Sequence, residues 1–400
     1  MKYKKRLLQT HLLKLSKRFP AVWITGPRQS GKTTLSKTTF KDFIYLSFED
    51  LDNRNYAQND PRGFLRQFPG TLILDEVQKC PDILPYLQTH MDKVGKNGQF
   101  ILTGSHQFQL SRSISQSLAG RVAVVTLLPF SLSELFNLPQ QAVHKAAEKG
   151  SKGIPIRHTI EKTLFKGMYP AVHDRGASPT DWYASYYATY IERDIKEMAS
   201  IQSLRVFDTF VRLCAARSGC LMNYSEISNE SGVSVPTIKA WVSMLEASGI
   251  ITLIPPYFKN YSKRLIKAPK LYFLDSGLLC YLLRIKDFRQ LITHPLKGAV
   301  FETLIVSEII KSFQHNKTEP PLYYWRDHKG REIDLLIDLG PSQWPVEIKS
   351  AETVNSSFFK TINWWLALPE NPAEYGTIIY GGKEDQDRKP INIRSWRTVV

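Results

Sequence analysis

This 400-residue chain has no apolar run approaching the length of a membrane span, few cysteines, and fewer acids than bases. A spanning helix needs about 20 apolar residues, so a membrane protein of that type is excluded. The four cysteines, Cys80, Cys214, Cys220 and Cys280, lack metal-ligand or redox spacing and read as reduced thiols of a cytoplasmic protein. Asp and Glu total 37 against 53 Lys and Arg, a net charge of +16. Such an excess favours a polyanionic partner. No lipid-binding amphipathic segment stands out, so nucleic acid comes before membrane. No repeat or coiled coil demands an assembly, and a homo-oligomer is left open.

The chain has 42% hydrophobic and 22% charged residues, as a globular protein with a substantial core does, and its length suggests two or three domains. The basic start resembles a signal peptide, but Lys14, Lys17 and Arg18 interrupt the apolar segment. It reads instead as an amphipathic helix with Leu8, Leu12 and Leu15 on one side.

Directly after the apolar run Ala21 to Ile24 come Gly26, Pro27, Arg28, Gln29, Ser30, Gly31, Lys32 and Thr33, a Walker A pattern, followed by Thr34. The two glycines permit a tight turn that points backbone N–H groups at a phosphate, and the next helix offers its positive end to the anion. Lys32 then reaches the β- and γ-phosphates of ATP, and Thr33 ligates Mg²⁺. The run Leu72 to Leu74 ends in Asp75 and Glu76, which is Walker B chemistry: Asp75 for the metal, Glu76 to polarise the attacking water. An adjacent glutamate marks the class with an extra strand between the two motifs, here Gln99 to Thr103, with Thr103 and Ser105 placed to sense the γ-phosphate. Phe43 to Phe48 and Val122 to Leu127 complete a parallel sheet sandwiched by helices. Arg121 reads either as an arginine finger or sensor, in cis or in trans, or as an ordinary surface arginine.

These segments, with Leu102-Thr103-Gly104-Ser105-His106 and Leu118-Ala119-Gly120-Arg121, resemble the prokaryotic AAA-type ATPases fused to a C-terminal domain of unknown function. Later segments fit as well: Tyr190 to Ile195, Leu271 to Leu278, and Phe301-Glu302. The likeness runs from about Lys17 to Ser350 and implies an ATP-binding core, of a type that often assembles into rings. The expected architecture is α/β in three parts: a P-loop ATPase core over 1–150, a helical region over 151–290, and a nuclease-like domain over 291–400.

Within the middle region, residues 221–258 pattern as a winged helix-turn-helix. Tyr224 to Glu230 is a short helix; Ser234 caps a second, whose Ile238, Trp241, Val242 and Leu245 share one face. The strand Ile250 to Ile254 follows, then the basic stretch Lys259, Lys263, Arg264, Lys267 and Lys270. That wing suits phosphate contacts. Thr237, Lys239 and Ser243 are a thin set for reading bases, so DNA binding and protein docking both stay open. The aromatic run Trp182 to Tyr190 reads as a packed helix face, with stacking on nucleic acid the alternative.

Near the end, a helix carries Glu302. The strand Arg331 to Asp338 sets Glu332, Asp334 and Asp338 on one face, and Glu347 and Lys349 share a face of the next strand. An acid on a helix, a strand acid and Glu-x-Lys resemble a restriction-endonuclease-like core. Phosphodiester hydrolysis needs Mg²⁺ held by oxygens, here Asp334 and Glu347 with the Ile348 carbonyl. Lys349 would orient or deprotonate water, and Glu302 would reach the metal through water or fix Lys349. The core also persists in proteins that do not cleave, so a nucleotide switch acting on a protein partner is the second reading.

Overall fold

Ala21–Thr25 is buried along its whole length and forms β1, an interior strand of the first sheet. The computed structural model describes residues 4–104, 118–139, 153–155, 158–174, 176–190, 203–258, 267–315, 318–340, 342–368, 373 and 375–398. The chain divides into two compact units, Met1–Phe130 with Ala247–Gly249, and Ser131–Glu246 with Ile250–Val400.

In the first unit, α1 (Gln9–Ser16) precedes β1, and α2 (Lys32–Thr39), β2 (Ile44–Ser47), α3 (Leu51–Asn59), α4 (Pro61–Gln67), β3 (Leu72–Asp75), α5 (Leu84–Val94), β4 (Phe100–Thr103) and β5 (Val122–Thr126) follow. The strands pair in parallel in the order β2-β3-β4-β1-β5. The expected extra strand, β4, therefore separates the Walker A strand from the Walker B strand. Period-two alternation feeds both faces of the sheet. Two faces result: Trp23, Leu74 and Leu102 pack with Phe64, Leu84 and Leu87, while Val22, Ile24, Ile73 and Ile101 pack with Leu8, Leu12 and Leu35. Leu8, just before α1, and Leu12 within it are buried and Leu15 is partly buried beside them, which agrees with the amphipathic reading.

The second unit begins with α6 (Leu132–Phe136), held by a Ser131–Glu134 capping box. Helices α7 (Ile160–Lys166), α8 (Pro170–Asp174) and α9 (Pro179–Tyr186) follow. Tyr183, Tyr186, Tyr187 and Tyr190 are buried, and Trp182 stacks on Tyr186 at 5.1 Å. The aromatic run is a packed face, and buried rings are closed to stacking bases. Next come α10 (Leu204–Ala216), α11 (Tyr224–Ser231) and α12 (Val235–Ala247), the last burying Ile238, Trp241, Val242 and Leu245. Strands β6 (Ile251–Ile254) and β7 (Lys270–Phe273) pair antiparallel. Lys259, Lys263 and Arg264 of the expected basic wing lie outside the described residues. Lys267 is exposed, but Lys270 opens β7, a strand buried along its whole length, and is itself buried.

After α13 (Ser276–Leu282), the long α14 (Lys297–His315) leads to β8 (Leu322–Arg326), β9 (Glu332–Asp338), β10 (Gln343–Lys349), α15 (Lys360–Leu366), β11 (Gly376–Tyr380), β12 (Gln386–Arg388) and β13 (Ile391–Ser395). These strands make a mixed sheet in the order β12-β13-β11-β10-β9-β8. β8–β9 and β9–β10 pair antiparallel, β10–β11 and β11–β13 pair parallel, and β12 closes the sheet antiparallel to β13. Ile362 and Trp365 of α15 pack against this sheet. Beyond β6, the chain continues the ladder onto β8: Tyr257 N donates to Tyr324 O at 2.7 Å and Tyr324 N to Pro255 O at 3.1 Å. Among the described residues, no helix is long and apolar enough to cross a membrane.

Candidate functional site

The turn from β1 into α2 is built on two glycines in conformations that side chains avoid. Gly26 has φ 137°, and a Cβ there would collide with the Leu127 carbonyl oxygen. Gly31, at φ 96°, is the left-handed residue that opens α2. Lys32 follows and is buried; its Nζ donates to the carbonyls of Gly26 at 3.0 Å and Pro27 at 2.9 Å. Burial pulls its ammonium down to about 8 against the pull of Glu76 and Asp75, with Arg28 adding to the fall. Pro27 and Ser30 are buried, Arg28 is half-buried, and Gln29 and Thr34 are exposed.

Walker A and Walker B meet through one carboxylate. Thr33 Oγ1 donates to Asp75 Oδ1 at 3.0 Å and to Oδ2 at 3.1 Å, although the two residues are 42 positions apart. Thr103 Oγ1 also donates to Asp75 Oδ1, and Tyr45 OH donates to Oδ2 at 2.8 Å. Burial and Asp75 push the Tyr45 phenol up to about 12, which keeps it a donor. Glu76 directly follows β3 at φ 54°, a left-handed conformation rare outside glycine, and its Oε2 accepts from Gln78 Nε2. Strain of this kind concentrates at functional sites.

Of the readings open for Arg121, the structure goes against one, a role toward its own chain's nucleotide. Its carbonyl accepts from Ala21 N, at the start of β1, whereas the nucleotide loop leaves the other end of that strand. The guanidinium forms a two-point pair with Asp92, 2.6 Å and 2.9 Å. The parallel register of β1 with β5 therefore separates Arg121 from its own chain's loop by the length of the sheet. Ser105 lies outside the described residues. Two contributors had no motif to announce them. Tyr45 reaches Asp75 only because β2 neighbours β3, and Arg6 reaches the loop from before α1.

In the second unit, the expected acids and lysine converge across β9 and β10. Asp334 Oδ2 accepts from Ile348 N at 2.8 Å and from Lys349 Nζ at 3.1 Å, and Lys349 Nζ stands 2.7 Å from Glu347 Oε2. Glu302, on α14, takes different partners from those expected. It accepts from Tyr272 OH and lies 3.7 Å from Lys270 Nζ, and Lys270 also pairs with Glu332. Lys270 is thus an inward cation of this cluster, and the wing loses it. Glu347 Oε1 is buried and has no hydrogen-bond partner among the described residues. That orphaned oxygen, facing the chemistry of an oxygen donor set, fits a divalent cation shared with Asp334. Among the described residues, however, no three His, Cys, Asp or Glu gather as a metal-holding group, so Glu302 does not complete a three-acid set.

Packing so many charges together separates their protonation. Burial, aided by Asp334, raises Glu347 to about 9 against Lys349. Burial and Asp334 likewise raise Glu302 to about 7, opposed by Lys270. For Asp334, burial is overcome by Lys349 and Lys270, which hold it below the usual carboxylate range. Lys349 is pushed up, because Asp334 and Glu347 outweigh its burial.

The first unit, with its parallel sheet and covering helices, has the fold of a P-loop NTPase, and an AAA domain model matches residues 18–136. Two further models match, both of domains of unknown function: DUF8612 over 157–289 and DUF4143 over 297–397. The chain thus carries an AAA-type ATPase domain. It belongs to one family with the uncharacterized protein Rv2008c of Mycobacterium tuberculosis, 30% identical over 342 residues, which are 85% of this chain and 72% of that protein. The uncharacterized protein MJ1544 of Methanocaldococcus jannaschii is 24% identical over 332 residues, 78% of this chain and 71% of that protein. Among solved structures, the Walker-type ATPase PABY2304 of Pyrococcus abyssi is similar with a TM-score of 0.46 and 15% identity, over 70% of this chain and 96% of that one.

Proposed function

We propose that this chain hydrolyses ATP at Lys32, Thr33, Asp75 and Glu76, and that the nucleotide state governs a phosphodiester-cleaving site at Asp334, Glu347 and Lys349 acting on DNA. The observation that carries the reading is the Thr33–Asp75 hydrogen bond beside buried Lys32, which joins two motifs far apart in sequence. Backbone N–H groups of Gly26 to Thr33 and the N-terminus of α2 would cradle the phosphates. Lys32 would turn from the Gly26 and Pro27 carbonyls to the β- and γ-phosphates. Thr33 and Asp75 would hold Mg²⁺, which supplies charge neutralisation between those phosphates when bound. Glu76 would polarise the attacking water, and Thr103 would report the γ-phosphate to Asp75.

In the second unit, Asp334 and Glu347 would hold a divalent ion that stabilises phosphorane charge, and Lys349 would orient the water. Helices α11 and α12 with β6 and β7 would serve as a winged helix on the DNA backbone, within a three-part organisation of 1–150, 151–290 and 291–400. The test is incubation with Mg²⁺ or Mn²⁺, with and without ATP, on linear, circular and single-stranded DNA. Cleavage abolished by Asp334→Ala with ATP binding intact supports the reading.

One observation favours a second reading, a nucleotide switch whose C-terminal domain recognises a protein. Lys349 is engaged by Asp334 and Glu347, and Lys270 by Glu302 and Glu332, so each acid of the cluster already faces a cation of the protein. Absence of cleavage and of salt-dependent DNA binding in every arm leaves this reading in place of the first.

A further inference from the structure

The phosphate-binding turn can point its N–H groups inward only if its carbonyls point outward, and buried carbonyls need donors. Lys32 serves Gly26 and Pro27. The carbonyl of Ser30 is served from a distant place: Arg6, buried and 24 residues upstream, donates Nη1 to it at 2.8 Å. The other terminal nitrogen, Nη2, donates to Leu128 O at 2.7 Å and reaches Pro129 O at 3.5 Å. The guanidinium also lies over the Phe130 ring, 4.9 Å from its centre. Gly26, at the opposite end of the turn, packs against Leu127 so closely that no Cβ fits. Both ends of the turn are therefore fastened to Leu127–Phe130, one by direct contact and the other through Arg6.

We propose that Arg6 is a positioning residue for nucleotide binding: its forked guanidinium clamps the Ser30 carbonyl to the strand exit at Leu128 and Pro129, and so preorganises the N–H groups that meet the phosphates. The inference rests on the ATP-binding reading above. A fork is required because two carbonyls on separate segments must be held at once, which a single ammonium cannot do with the same geometry. Such preorganisation acts on affinity before it acts on chemistry, since a loosened turn must be ordered by the ligand itself.

The experiment titrates a fluorescent ATP analogue with Mg²⁺ into the full chain, alongside steady-state ATP turnover and thermal melts. The variants are Arg6→Ala, Arg6→Lys and Lys32→Ala. Arg6→Ala weakens nucleotide binding by about tenfold to a hundredfold, the loss of charge-assisted hydrogen bonds, with KM rising more than kcat falls. Arg6→Lys, which keeps charge but not the fork, falls between wild type and Arg6→Ala. Added guanidinium at millimolar concentration restores affinity to Arg6→Ala and not to Lys32→Ala. Should Arg6→Ala fail to fold, Arg6→Lys decides: wild-type affinity in that variant overturns the clamp. A folded Arg6→Ala with unchanged affinity overturns it too, and leaves Arg6 purely structural. If wild type binds the analogue no better than Lys32→Ala, the nucleotide reading itself fails and takes this inference with it.

Discussion

The two candidate sites use the same ingredients, lysine and carboxylate, in opposite ways. In the first unit, Lys32 directs its hydrogen bonds to neutral carbonyls, and Asp75 is satisfied by the hydroxyls of Thr33, Tyr45 and Thr103. Opposite charges stand near one another there, held by neutral partners. In the second unit, Lys349 and Lys270 bind their acids directly. A ligand entering the first site meets charges ready to turn toward it; one entering the second must compete with ion pairs already made. Since breaking one partner of a buried pair leaves the other charge uncompensated, the second site also carries more of the stability of its surroundings.

Removing the proposed base of the first site has the largest expected effect. Glu76→Gln retains ATP, while kcat drops by about a hundredfold to ten-thousandfold, the usual worth of a general base, in a steady-state phosphate-release assay. Normal turnover would transfer the role to another residue and erase the contrast. At the second site the expected signature is thermodynamic. Asp334→Ala strips Lys349 of one acid and the Ile348 N–H of its acceptor. It should cost about 2–4 kcal/mol in urea unfolding, on the low side for a buried pair because Lys349 keeps part of its surface in water. A cost near zero would mean that the cluster is solvated in solution.

The pH dependence separates the sites by sign. Glu347 is raised from 4.5 to about 9, so across that window the unfolded chain has released a proton that the folded chain keeps, and stability falls as pH rises. Lys32 is lowered from 10.5 to about 8, so between those values the unfolded chain holds the extra proton and stability climbs with pH. Each slope is at most about 1.4 kcal/mol per pH unit. Urea melts of Glu347→Gln and Lys32→Met across pH 5 to 10 should each lose their own slope and keep the other's. Arg121→Ala carries the smallest effect: turnover within about twofold of wild type at low protein concentration, as for a surface substitution. A loss that grows with protein concentration would instead place Arg121 at a neighbouring chain's nucleotide.

Much of both sites was legible as pattern. Gly26 to Thr33 after a buried strand, the apolar run before Asp75, and the alternation around Asp334 are local signals with a fixed period, and the elements formed where that period put them. Beyond Ser350 the local signals are short, the apolar run Thr377 to Tyr380 and the alternation Ile391 to Ser395, and β11 to β13 extend the second sheet from the edge at β10. The register of β11 and β13 depends on parallel partners farther along the chain, and parallel pairing leaves no turn signature between neighbours.

By itself, the sequence determined the nucleotide turn, because glycine at positive φ is a demand of local backbone geometry, and Lys32 follows the second glycine directly. It equally determined which faces of α1 and α12 are buried, since helical periodicity is a property of neighbouring residues. Only the tertiary structure decided that Arg6 holds Ser30, that Tyr45 reaches Asp75, that Lys270 turns in to Glu302 and Glu332, and that Arg121 lies at the far end of its strand. Each of these depends on strand order and on contacts between segments many residues apart. Charge and hydrogen-bonding capacity are written in the chain, but the partner that satisfies them is chosen by the fold.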